Sequence, residues 1–139
     1  MTLITLTARV DEPHIQALLA EAMGYTTLER LARVCARYRE AGWHLLGLEE
    51  GGRPVGLIGL ELQAPGRAVI HHIAVLPAQR HRGIGRALLR GAAESLGLRH
   101  LTAETDADAV SFYRRCGFAV ESLGEKYPGV ERFRCALQI

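Results

Sequence analysis

The period of the apolar positions changes several times along the chain, and each change marks an element. Leu3, Thr5 and Thr7 alternate with Ile4 and Leu6, which predicts a short first strand over residues 3–7. Asp11, followed by Pro13, starts a helix in which Ile15, Leu18, Leu19 and Ala22 fall at helical spacing before Gly24 ends it. Thr27 opens a second helix, with Leu28, Leu31, Ala32 and Cys35 on one face and Gly42 at its close. From Trp43 the pattern becomes that of strands. Residues 43–48 and 55–62 flank a hairpin turn at Glu50-Gly51-Gly52-Arg53. Pro65-Gly66 marks the next turn, and residues 68–75 are apolar on both faces, as a central buried strand is.

Beyond Leu76-Pro77 the helical period returns in Ile84, Leu88 and Ala92. A short strand over 100–104 follows, then a helix over 106–116 capped by Asp106 and stopped by Gly117. Strands over 118–123 and 131–137 finish the chain, joined by a loop containing Pro128-Gly129. This order predicts an α/β fold with a mixed central sheet of about six or seven strands and helices on both faces. It forms one domain, 1–139, without repeat, linker or low-complexity stretch.

Composition narrows the class. Hydrophobic residues make up 48% and charged residues 23%, so a packed core is expected and disorder is not. No run approaches a membrane span, and the start Met1-Thr2-Leu3-Ile4-Thr5 lacks the charged region and apolar stretch of a signal peptide. Cys35, Cys116 and Cys135 are odd in number and far apart, which fits idle thiols in a reduced, cytoplasmic protein. The net charge of +2 and 6% aromatic content argue against nucleic acid as a partner, even with Arg80-His81-Arg82 in the chain. His71, His72 and His81 make a poor metal site, because adjacent strand residues diverge.

The informative stretch runs from Val75 to Leu89: strand, loop, glycines, helix. A helix start leaves N–H groups without partners and carries partial positive charge, and glycines let the backbone approach an oxyanion. Arg80, Arg82 and Arg86 add charge, so the stretch reads as a pyrophosphate cradle, although each arginine could equally belong to a solvated face. A dinucleotide fingerprint would need glycine at Leu88, and no Gly-Lys-Ser/Thr of a nucleotide P-loop occurs. What remains is Arg80-x-x-Gly83-x-Gly85 after a buried strand.

That motif resembles the acyl-CoA motif of the GNAT superfamily of N-acetyltransferases, Arg/Gln-x-x-Gly-x-Gly/Ala. A second match, Phe112-Tyr113-Arg114-Arg115-Cys116-Gly117-Phe118, lies about thirty residues downstream and is similar to the family's Phe-Tyr-x-x-x-Gly-Phe helix end. The resemblance covers the chain from Trp43 onward well and the two N-terminal helices only in order. It implies acetyl-CoA, or another acyl-CoA, as co-substrate and a small-molecule or peptide amine as acceptor. No membrane partner is implied, and the family often pairs through sheet edges as a homodimer. It also implies the thioester carbonyl at a backbone N–H near Ile73, Ala74 or Val75, and pyrophosphate along Arg80, His81, Arg82, Gly83, Ile84, Gly85 and Arg86. Tyr113 stands where the family protonates the departing thiolate; the bland alternative is a core tyrosine. Asp106 departs from the family's frequent Asn and is read as a helix cap.

The base is open between His71 and His72. Successive strand side chains point to opposite faces, so one of the two should face the acceptor, and imidazole suits removal of a proton from an ammonium. The family places an acid or histidine at the parity of His71, while a bulge near Ile73 would favour His72. Both may be replaced in this role by water, with Glu61 and Glu104 in reserve. The polar tail from Ser122 to Arg132 reads as a loop of the kind that binds acceptors, or as a solvated hairpin connection. A CoA-binding sensor without turnover is the alternative to an enzyme; an intact Tyr113 argues against it.

Overall fold

A computed structural model describes residues 2–24 and 26–139. In chain order the elements are β1 (Thr2–Thr5), α1 (Pro13–Met23), α2 (Leu28–Arg37), β2 (Trp43–Glu50), β3 (Arg53–Ala64), β4 (Arg67–Val75), α3 (Ile84–Leu96), β5 (His100–Asp106), α4 (Val110–Arg115), β6 (Ala119–Tyr127) and β7 (Val130–Gln138). Among the described residues they form a seven-stranded sheet in the order β1-β2-β3-β4-β5-β7-β6. Its strand pairs are antiparallel except β4 with β5. The expected mixed sheet with helices on both faces is present.

Alternation along the strands builds two cores. Ile58 and Leu60 of β3 pack with Ile84, Leu88 and Ala92 of α3 and with Val110 and Tyr113 of α4. Leu57, just before Ile58 in the strand, faces the other way and packs with Ile15, Leu18 and Leu19 of α1 and Cys35 of α2. The helix α1 therefore buries the stripe expected of it. The second helix does not: Leu28 is 86% exposed and Ala32 is exposed, while Cys35 is buried and Leu31 and Val34 pack against that core beside Tyr38. The true stripe includes Val34 and Tyr38, which the reading from Leu28 overlooked. Thr27 caps this helix as expected, accepting the amide of Arg30 at 3.2 Å.

Other boundaries move for local reasons. β1 stops at Thr5 because Thr7 turns its hydroxyl to the Leu45 amide at 3.1 Å and enters a 3-10 turn. The Asp106 carboxylate accepts the amides of Asp108 and Ala109 at 3.0 and 3.1 Å, holding a turn that delays α4 to Val110. The polar tail is strand rather than loop: β6 and β7 pair from Ala119↔Ala136 to Tyr127↔Val130, closed by Pro128 and Gly129, the latter left-handed at φ 77°. No described helix is long and apolar enough to cross a membrane.

Candidate active site

The parallel pairing of β4 with β5 runs from Arg67↔His100 only to Ile70↔Ala103. Both strands continue, to Val75 and Asp106, with their facing edges unpaired by one another. The splay opens a cleft of about 560 Å³ whose walls include Ile70 to Ile73 of β4, Glu104 to Asp106 of β5, Tyr113 of α4 and arginines of α2 and β7. Unpaired strand edges supply backbone donors and acceptors to whatever extended molecule enters.

The two histidines of β4 do not face opposite ways. The register with β3 passes from Gly59↔His72 to Leu60↔Ile70, so His71 is the extra residue of a bulge. The bulge lies two residues before the position at which it was anticipated. It breaks the alternation and turns both rings to the face of α1 and α2, their centroids 6.4 Å apart. His71 stacks on Trp43 at 4.5 Å, and its Nε2–H donates to Glu61 Oε1 at 3.0 Å. His72 Nδ1 is hydrogen-bonded to the hydroxyl of Tyr38, whose side chain is fully buried. Gly59 makes room for that tyrosine, since a Cβ there would lie 1.8 Å from its hydroxyl oxygen.

Burial sets the protonation of this pair. It raises the Tyr38 pKa, so the phenol keeps its proton, and, with a smaller contribution from nearby His71, it lowers His72 to about 4. A buried O–H without an acceptor is costly, so Tyr38 donates to Nδ1 and the neutral His72 ring carries its own proton on Nε2. Neither nitrogen of His72 then has a free lone pair. His71, by contrast, retains one on Nδ1 once Nε2–H is donated to Glu61.

Tyr113 is 4% exposed and packs edge-on against Phe112 and Phe118. It lines the cleft. Its hydroxyl bonds to no described residue, and no described side-chain oxygen is both buried and unpartnered, so the oxygen reaches the cleft. Burial, with Cys135 and Cys116 nearby, raises its pKa. At neutral pH it is a donor. Glu104 also reaches the cleft, 3.7 Å from Arg134.

The glycine loop closes the far end of β4. Gly83 is left-handed at φ 77° and its carbonyl accepts the Ala87 amide at 3.0 Å, leaving the amides of Ile84, Gly85 and Arg86 without helical acceptors. Gly83 serves conformation, because nothing would touch its Cβ. Gly85 serves packing: a Cβ there would meet the Phe112 ring at 2.7 Å, so its bare side faces α4 rather than the loop. The three arginines each have protein partners. Arg80 reaches the Val75 carbonyl and Glu21 at 3.3 and 3.2 Å, Arg82 reaches Glu50 at 3.1 Å, and Arg86 donates to the Arg115 carbonyl at 2.7 Å. His81 is exposed and left-handed at φ 66°. Ile73 lines the cleft, Ala74 is buried toward α1, and Val75 is half-buried beside α3.

The splayed β4–β5 pair, the glycine loop and the helix after it all lie within a stretch that comparison matches to a known family. Residues 11–118 match the acetyltransferase (GNAT) family, more than half of the chain. The chain belongs to that family. The N-alpha-acetyltransferase RimI of Mycobacterium tuberculosis is 37% identical over 90 residues, 60% of this chain and 57% of that protein, so the match spans little more than half of that relative's length. The crystal structure of a GNAT-family protein from Desulfovibrio desulfuricans superposes with a TM-score of 0.81 at 25% identity, covering 99% of this chain and 98% of the other. A GNAT acetyltransferase from Elizabethkingia anophelis, solved with acetyl-CoA bound, gives 0.74 at 18% identity over 99% and 97%.

This GNAT chain thus brings together His71, His72, Ile73 and Tyr113 around one cleft, and it leaves the arginines of the loop engaged elsewhere. Sequence reasoning missed Trp43, Tyr38 and the α2 arginines. Trp43 is the single tryptophan and could have been suspected; the arginine spacing in α2 was visible but was passed over for the apolar face.

Proposed function

We propose that the chain is an N-acetyltransferase that moves an acetyl group from acetyl-CoA to a primary amine by direct attack. Family membership supports the class, and the observation that carries the mechanism is the single cleft flanked by a donor, Tyr113, and an acceptor of protons, His71 paired with Glu61. The free amides of Ile84, Gly85 and Arg86 and the left-handed Gly83 suit an oxyanion and support a pyrophosphate at the start of α3. The pantetheine arm then runs along the unpaired edge of β4, with a backbone amide near Ile73 to Val75 polarising the thioester carbonyl.

His71 Nδ1 takes the proton of the acceptor ammonium, directly or through a water, and Glu61 stabilises the imidazolium. The amine nitrogen bonds to the carbonyl carbon, the carbon–sulfur bond breaks, Tyr113 gives its proton to the sulfur and is reprotonated from solvent, and the nitrogen sheds its second proton to solvent as the amide forms. His72 positions the bulge through Tyr38 and takes no part in the proton transfers. Free thiols at Cys35, Cys116 and Cys135 are consistent with a cytoplasmic setting. The test is an amine panel with acetyl-CoA, reading free thiol. Amine-dependent release supports an enzyme; calorimetric binding of acetyl-CoA with no release on any amine identifies a sensor module instead.

A further inference from the structure

The cleft lining holds four arginines, Arg30, Arg33 and Arg37 of α2 and Arg132 of β7, against two carboxylates, Glu104 and Asp106. Arg30 and Arg33 sit three residues apart on α2 and so share a side of the helix, and Arg132 approaches from β7. Among the described residues none of the three forms an ion pair, whereas every other loop and cleft arginine named above has a partner. Of the two carboxylates of the lining, Glu104 stands beside Arg134, and Asp106, opposite Arg132 in the sheet register without forming an ion pair to it, accepts two backbone amides through Oδ1. Glu61 is held by His71. These arginines do not serve the phosphate cradle, because α2 packs on the opposite face of the sheet from α3. They therefore face the acceptor.

We infer that the acceptor is a primary amine bearing a carboxylate, which Arg30, Arg33 and Arg132 receive at the cleft mouth while the amine reaches His71. This rests on the acetyltransferase reading above. Guanidinium groups bind carboxylate through paired N–H donors, and three of them repel a polycation. A polyamine is thus a poor acceptor. The carboxylate can belong to a free amino acid or to an acidic residue just after a peptide's N-terminus; both present the same chemistry.

The experiment measures acetyl-CoA turnover with matched amines: alanine against alaninamide, a C-terminally amidated peptide beginning Ala-Glu against one beginning Ala-Gln, and spermidine. The expected result is a kcat/KM at least about tenfold higher for the acidic member of one pair, as charged hydrogen bonds imply, and little turnover of spermidine. The pair that discriminates tells the two sources apart. Arg33→Gln and Arg132→Gln should each raise KM for that acceptor about tenfold and leave KM for acetyl-CoA unchanged, and added salt should act in the same direction. Equal rates within both pairs, or spermidine as the best acceptor, overturns this inference and leaves the acetyltransferase reading standing. Acetyl-CoA binding without turnover of any amine overturns both.

Discussion

Burial divides the two adjacent histidines, and the division can be measured. His72 falls from its ordinary 6.5 to about 4 because the charged ring would be desolvated. Between those values the unfolded chain binds more protons than the folded one, so stability is full above pH 6.5 and is lost as pH falls toward 4. The loss by pH 5 is about 2 kcal/mol, and urea denaturation at pH 7 and pH 5 should show it; His72→Gln should shrink that difference. A His72 base would put the acid limb of the rate profile near pH 4. With His71 as the base, His71→Ala should cost about 100-fold in kcat and abolish the acid limb of the wild-type profile, with His72→Gln keeping it. Tyr113→Phe should lower kcat about 100-fold with KM for acetyl-CoA unchanged, since the ring packing survives and only the proton donor is lost. Equal kcat for Tyr113→Phe and wild type would assign the proton to water.

At the scale of elements, the bulge at His71 is held by one contact chain. Gly59 admits Tyr38, Tyr38 bonds His72, and β4 then presents His71 to Glu61. Gly59→Ala should displace the phenol, cost about 2 kcal/mol in denaturant melts and lower kcat although it touches no reacting atom. Wild-type stability in that variant would show that the strand yields easily. Much of this layer was legible. Alternation marked the strands, Gly24 and Gly117 marked the ends of α1 and α4, and the loop from Arg80 to Arg86 was recognisable from its glycines, whereas Glu12 rather than Asp11 precedes α1 and α2 ends at Arg37, well before Gly42. The bulge was not, because nothing in the run Ile70-His71-His72-Ile73 distinguishes a regular strand from one with an extra residue. The length of β6 and β7 was hidden for a related reason: the two strands are largely exposed, so their residues are polar and read as loop. Gly85 was assigned to phosphate approach from its place in the motif, whereas its packing on Phe112 depends on a helix about thirty residues away.

For the whole molecule, the sheet separates two tasks. α3 and α4 on one face present the free amides and Tyr113, and α1 and α2 on the other shape the approach to His71. In the proposed reaction the β4–β5 splay joins the faces, so that donor and acceptor would meet through a gap that regular pairing would have closed. Transfer across this gap is tested most directly by mass spectrometry of the acceptor after incubation with acetyl-CoA, with released thiol counted in the same sample. The account predicts one acetyl group on the amine for each thiol released, with both signals lost together in a Tyr113→Phe, His71→Ala double variant that still binds acetyl-CoA. Thiol release without acetylated amine, or undiminished transfer by that double variant, would contradict it.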